Sequence, residues 1–419
     1  MKILLVNYHY FIHGGPDRYF FNVKDLLEKA GHAVIPFSFD YDETFETPYR
    51  RYFPEPISGR GTFLLENLKL TKRQKLTYLR KMFKNEEVEK KFFDLLDRER
   101  PDIVYSIYLS SSMLPKILHI AKKRFKIPVV YRLSDFHMIC PSYLFFRNGE
   151  VCQECLNTPW AAVRYRCVQS SMLASLLRVI QIAMIRKRRW YDSVDRFVCP
   201  SRLMQTCLLN AGFLKEKVAW VPTFTGDLLS GSGETGKSIL YFGKLTREKG
   251  VEVLLRAYNA LESPRYPLKL IGHCSDDYRT YLYTLLDARH RDMVSISGPL
   301  HGEAMWQELR SCAFVVQPAI WLENMPNTLI EALSAGKPVV ASDVGSLTEL
   351  VKDEENGYLV SPGDAKKLSQ VLNKMSCDSD LVAMGEQSRR RYEKYHTADV
   401  HFQQLQSIFT DLVAGSSNS

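Results

Sequence analysis

The chain has 419 residues, 45% of them hydrophobic and 25% charged, with a formal net charge of +9. That balance provides for two or three buried cores and excludes disordered and fibrous chains. Met1-Lys2 leads into a short apolar run without a cleavage site, and no long uncharged apolar window follows, so neither an export signal nor a spanning helix is predicted and a cytoplasmic location is expected.

Residues 1–7 read as a buried strand, followed by the turn His13-Gly14-Gly15-Pro16 and a helix over about residues 17–30, closed by Gly31. Residues 32–38 form a second strand. A strand, glycine turn, helix and strand in that order open a doubly wound sheet, whose ligands lie beyond the carboxyl ends of its strands. Gly15 lets backbone come close to a ligand, although a plain tight turn explains it equally well. An insertion without clear periodicity occupies about residues 40–100, with helices near 66–80 and 86–98. Further strands are expected at 102–107, 128–133, 195–199 and 217–221.

The alternation restarts at Ser238-Ile-Leu-Tyr-Phe-Gly243, with strands at 268–272, 294–296, 313–317 and 338–341. The expected fold is α/β: two doubly wound Rossmann-like domains facing a cleft, over residues 1–222 and 223–392. A final helix, 393–419, is expected to cross back onto the first domain. Between the halves, Gly231-Ser-Gly-Glu-Thr-Gly236-Lys237-Ser238 matches a phosphate-loop pattern letter for letter. The context is wrong, because that motif needs a strand before it and a helix after it. A linker is the better reading, and Lys237 is expected to be dispensable.

The segment W-L-E-N-M-P-N-T-L-I-E-A-L-S-A-G-K-P, residues 321–338, sets Glu323 in a loop and Glu331 on a short helix between two strands. Pro326 suits the first helical turn, and Gly336 followed by Pro338 ends it. The start of such a helix presents N–H groups and a positive dipole end, both suited to a phosphate.

Glu323 and Glu331 match the E-x7-E signature of retaining glycosyltransferases with two Rossmann-like domains (GT-B type), the family numbered four. The resemblance continues in G-K-L-T-R-E-K-G (243–250), A-F-V-V-Q-P, E-A-L-S-A-G-K-P-V-V-A-S-D-V-G and N-G-Y-L-V, all in family order. G-G-P-D-R-Y and V-D-R-F-V-C-P-S-R extend it into the first half. It implies transfer of a sugar, of the hexosyl type, from a nucleoside-diphosphate sugar to a glycan or lipid-linked saccharide. It implies that Glu331 holds the ribose and that Glu323 meets donor hydroxyls. Gly243, Asn327, Thr328 and Leu329 would surround sugar and phosphate. Lys249, with Lys244 where the family has Arg, would bind the diphosphate, and Gly15 would approach it from across the cleft. Cations and helix amides at the leaving phosphate leave no need for a catalytic metal or cofactor. Lys244 keeps the charge but lacks the guanidinium fork. Without an evident nucleophile, front-face displacement is the expected route. A sugar-nucleotide epimerase and a catalytically silent scaffold homologue are the alternatives; the E-x7-E pair and the G-K-L-x-x-x-K-G strand disfavour the first, and the retained Glu323, Lys249 and Glu331 the second.

After the strand at 128–133 many relatives carry His-Asp; here Ser134-Asp135 stands, with His137 two places on. Asp135 and His137 are the acceptor-side candidates, although a packed histidine is the plainer reading of His137. Cys140, Cys152, Cys155 and Cys167, four of nine cysteines, have the spacing C-x11-C-x2-C-x11-C. Two readings stand: a structural four-thiolate zinc site pinning a loop, or unliganded thiols. Residues 172–185 are largely apolar and run into Arg186-Lys-Arg-Arg189. They suit an anionic membrane surface or an ordinary core helix with a basic end. The basic runs at 122–126 and 186–189 lack a nucleic-acid-binding frame, so no nucleic acid is expected as a partner.

Overall fold

The computed structural model describes residues 1–57, 59–60, 72–109, 112–228, 236–377 and 380–417. The first half contributes β1 (Lys2–Val6), β2 (Ala33–Phe37), β3 (Ile103–Ser106), β4 (Val129–Arg132), β5 (Phe146–Arg147), β6 (Glu150–Val151), β7 (Arg196–Cys199) and β8 (Val218–Trp220). The second contributes β9 (Ile239–Phe242), β10 (Leu268–Ile271), β11 (Val294–Ser297), β12 (Phe314–Gln317), β13 (Val339–Ser342) and β14 (Gly357–Val360). Among the described residues these make two parallel six-stranded sheets, β2-β1-β3-β4-β7-β8 and β11-β10-β9-β12-β13-β14, and an antiparallel β5-β6 hairpin.

The expected α/β architecture is therefore present. Ile3 to Val6 and Ile239 to Tyr241 are fully buried, as parallel strands covered by helices on both faces must be. In each sheet the strand order reverses beside the first strand, β1 in one and β9 in the other. A crevice opens at the carboxyl ends there. The helices Gly15–Lys29 and Asn327–Ser334 start at these ends.

Differences from the expected elements are local. β14 was not among the expected strands. It is four residues long and begins at a glycine, too little for a periodicity to register. Pro326 precedes the Asn327–Ser334 helix as its N-cap, with φ −74° and ψ 120°, rather than lying in its first turn. The insertion helix runs Lys72–Phe83; the expected residues 66–71 lie outside the described residues. Residues 231–235 of the phosphate-loop pattern also lie outside them. Lys237 is exposed, and its amide donates to the Ser311 carbonyl at 3.2 Å on the way into β9, with no helix following.

The Ala398–Ser417 helix packs on the first sheet, where Leu405 and Phe409 are buried with Ile3, Leu5 and Tyr105. His401 of this helix is buried against the connection between the domains. Its Nδ1 lies 2.7 Å from the Pro222 carbonyl and its Nε2 2.9 Å from the Tyr19 hydroxyl. A carbonyl only accepts, so Nδ1 carries the proton and Nε2 receives the Tyr19 hydroxyl. Phe224 stacks on the same ring at 4.5 Å. His396 bonds the Thr223 carbonyl at 2.8 Å, and Tyr392 donates to the Thr225 carbonyl at 3.1 Å.

Candidate active site

The loop after β9 is shaped by two glycines. Gly243 takes φ +137°, and a Cβ on Gly250 (φ +73°) would lie 1.8 Å from the Pro318 carbonyl oxygen. Only glycine permits that closeness, and it brings Lys249 to the loop after β12. There the Lys249 ammonium lies 2.5 Å from Oε1 of Glu323 and 5.0 Å from the centre of the Trp321 ring, whose Nε1 donates to the same carboxylate at 2.9 Å. Glu323 is 5% exposed, so its charge is compensated by a cation and a second donor.

Glu331 faces the cleft from the Asn327–Ser334 helix and is 7% exposed. Burial pushes its carboxyl above the usual range, opposed by Arg18 of the first domain, whose Nη1 lies 2.7 Å from Oε1. Leu329's amide is occupied by the Pro326 carbonyl at 3.2 Å, whereas Asn327 and Thr328 precede the first intrahelical bond. Lys244 is exposed at the mouth, near enough to His13 for their charges to interact.

Opposite, Asp17 shapes the first domain's turn. Its Oδ2 accepts the Gly14 amide at 2.9 Å and the His13 amide at 3.3 Å, and its Oδ1 accepts the Asn7 amide group at 2.9 Å. A Cβ on Gly15 would meet only the Asn327 side-chain amide at 3.7 Å, an ordinary contact. Packing between the protein's own groups therefore does not require glycine at 15. The domains also touch through Asn324, which donates to the Leu133 carbonyl at 3.0 Å and accepts from Ser201 at 2.9 Å. Glu349 accepts the Arg202 and Leu203 amides, each at 2.8 Å.

The structure thus brings Lys249 to Glu323, Gly15 to Asn327, and Glu331 to the first domain. Sequence reasoning assigned no role to Arg18, Trp321, Asn324 or Glu349. Arg18 was visible within G-G-P-D-R-Y, but its partner lies 313 residues away.

On the acceptor side, Ser134 is used structurally, donating to the Ile107 carbonyl at 2.8 Å and accepting from Arg132 at 2.9 Å. His137 is 8% exposed. Its Nε2 lies 2.9 Å from the Tyr131 hydroxyl, and its Nδ1 makes a close contact with Asp135, which also accepts the His137 amide at 2.9 Å. Burial acts to raise the Asp135 carboxyl, but the His137 bonds and charge outweigh it and hold it below the usual range.

Cys140 and Cys155 are buried together, and Cys152 and Cys167 lie close enough to interact with them. Cys155 beside it lowers the Cys140 thiol, which also lies 3.2 Å from the Ser142 hydroxyl, while Cys155 itself is pushed up. No three His, Cys, Asp or Glu side chains form a metal-holding group among the described residues. The four thiols are close enough to affect one another's charge without forming such a group. The Met172–Lys187 helix buries Val179, Ile182 and Ile185 but exposes Met172, Leu173, Ile180 and the basic stretch 186–189. No helix among the described residues is long and apolar enough to cross a membrane.

Residues 230–397 match the family model of glycosyl transferases group 1. HepE of Anabaena, solved in complex with UDP, superposes with a TM-score of 0.65 at 17% identity, covering 98% of this chain and 100% of that one. The fold is that of the GT-B glycosyltransferases. An uncharacterized glycosyltransferase of Methanocaldococcus jannaschii is 34% identical over 38% of this chain and 41% of its own length. That match therefore spans under half of either protein. A 42.6 kDa protein of the cps region of Klebsiella pneumoniae is 24% identical over 86% of this chain and 90% of its own. In the GT-B frame, the paired Glu323 and Lys249 and the buried Glu331 all lie at the carboxyl ends of the second sheet, inside the matched segment.

Proposed function

We propose that the protein is a retaining glycosyltransferase that moves a sugar, of the hexosyl class, from a nucleoside-diphosphate sugar to a glycan or lipid-linked saccharide in surface polysaccharide or glycoconjugate synthesis. One observation carries this reading: Glu323 with Lys249, and Glu331, converge on the crevice between two domains of a GT-B fold. The match to glycosyl transferases group 1 supports the class of reaction, the match to a cps-region protein the polysaccharide setting, and the likeness to HepE, solved with UDP, the class of donor.

In this reading Glu331 binds the ribose diol, and Glu323, steadied by Trp321 and Lys249, binds sugar hydroxyls. Lys244 and Lys249, with the amides at Asn327 and Thr328, stabilise the charge that builds on the departing diphosphate, so no metal is needed there. The leaving phosphate takes the acceptor's proton in a front-face displacement. The acceptor sits on the first domain beside Asp135 and His137. The exposed apolar residues of the Met172–Lys187 helix and its basic end rest on an anionic membrane surface, on the inner face for a cytoplasmic enzyme.

A panel of sugar nucleotides scored for thermal stabilisation and hydrolysis tests the donor assignment. Stabilisation by none of them would overturn it and favour a scaffold protein. Trapping a covalent glycosyl-enzyme would exclude the front-face route. For the thiol cluster we propose a structural zinc, which requires Cys152 and Cys167 to close on the Cys140–Cys155 pair. Metal analysis of protein purified without chelator should give about one zinc per chain; its absence ends that proposal.

A further inference from the structure

Arg18 lies in the first turn of the Gly15–Lys29 helix and reaches across the cleft to Glu331 at 2.7 Å. A cation near a helix N-terminus has the wrong sign for the helix dipole, so the position is not explained by the stability of its own helix. The two partners differ in freedom: the Arg18 side chain is 44% exposed, that of Glu331 only 9%. Glu331 is held in place and Arg18 is the member that can move.

A carboxylate offers two oxygens, and a vicinal diol uses both most effectively. Arg18 already bonds one of them. A ribose diol and the guanidinium therefore compete for Oε1 on the open side of a largely buried carboxylate. Withdrawal leaves Arg18 at the mouth it shares with the Gly14-Gly15 turn and Lys244, which lies within charge interaction of His13 in that same turn. Arg18 also offers what Lys244 and Lys249 lack, the planar fork that grips phosphate oxygens in pairs, while Arg247 of the same loop is paired with Glu252 at 3.1 Å.

Building on the donor reading, we propose that Arg18 is a donor-binding residue that also gates the ribose site. In the empty protein it caps Glu331 and ties the domains together. A nucleoside diphosphate replaces it at Glu331 with the ribose, and the freed guanidinium turns onto the diphosphate. A nucleoside alone must break the ion pair with nothing to offer the guanidinium in return.

The test compares uridine with UDP, guanosine with GDP and adenosine with ADP on the full chain, in wild type, Arg18→Met and Arg18→Lys. For the pair that binds, Arg18→Met should weaken the diphosphate about tenfold or more while strengthening the nucleoside severalfold, and Arg18→Lys should restore part of the diphosphate affinity. A purely structural role would weaken both ligands alike, and that result, or no change in either, overturns the gate. A second measurement needs no variant: in wild type, added salt should tighten nucleoside binding by loosening the ion pair while weakening the diphosphate. Nucleoside binding indifferent to salt counts against the gate. If none of the three diphosphates binds wild type, the donor reading falls and the gate with it. Binding with an unchanged preference in Arg18→Met removes the gate alone.

Discussion

Among the described residues the two domains meet in two places, and the contacts are of opposite kinds. At the cleft they are polar and half-open to water: Arg18 to Glu331, Asn324 to Ser201 and Leu133, Glu349 to the amides of Arg202 and Leu203. At the connection they are buried: His401 between Pro222, Tyr19 and Phe224, and Leu405 with no exposure at all. A half-exposed ion pair contributes little net stability, because water serves each partner almost as well. A buried aromatic cluster with satisfied hydrogen bonds has no such substitute. The cleft can therefore open while the connection holds.

Substitutions at the connection should lower stability and spare ligand affinity, with the reverse at the cleft. The largest stability effect is expected for Leu405→Ala, which opens a cavity between the last helix and the first sheet. It should cost about 2–5 kcal/mol in denaturant unfolding, with the donor KM of the folded fraction unchanged. Lys249→Ala should lower kcat by about 10²–10³-fold with the cognate donor, with a smaller loss of melting temperature than Leu405→Ala because Trp321 still donates to Glu323. Equal losses in melting temperature and kcat for either variant would erase the distinction between the two regions.

Acid should act on the connection. Burial lowers His401 from 6.5 to about 3 and His396 from 6.5 to about 4. The unfolded chain takes up these protons below pH 6.5 while the folded chain refuses them. Both contributions are thus fully present above pH 6.5 and are lost as pH falls towards 4, by on the order of 1.4 kcal/mol per pH unit for each histidine. His401→Gln should flatten the stability profile between pH 6.5 and 4 by about one proton's worth. An unaltered slope would mean that His401 is not neutral in the fold. The smallest effect is expected at Lys237, exposed before β9: Lys237→Ala should leave kcat and melting temperature unchanged. A large loss of turnover with the fold intact would revive the phosphate-loop reading.

Much of this division was legible in the sequence, and the unreadable part has a common cause. Strands such as β1 and β9 announce themselves because parallel strands covered on both faces are apolar along most of their length. Glu323 and Glu331 could be singled out because a short helix start sets them within a few residues of each other, and Lys249 through the resemblance of G-K-L-T-R-E-K-G to a family motif. Arg18 and Glu331 could not be paired by reading, since only the docking of two domains brings them together. The same holds for Asn324 and for Glu349, which serves a helix of the other domain. On the acceptor side the shift from His-Asp to Ser134-Asp135 was visible. That Ser134 would turn inward to the Ile107 carbonyl, while His137 and Asp135 pair, depended on the path of an irregular loop.

The Glu349 contact provides a clock for the cleft. Its two carboxylate oxygens cover the amides of Arg202 and Leu203, the first of the Arg202–Asn210 helix, while Ser201 caps that helix through Met204. The helix keeps its own cap when the domains part, but those two amides lose their cover to water. Their hydrogen–deuterium exchange, set against that of Met204, would count openings of the cleft with no label attached and no ligand present.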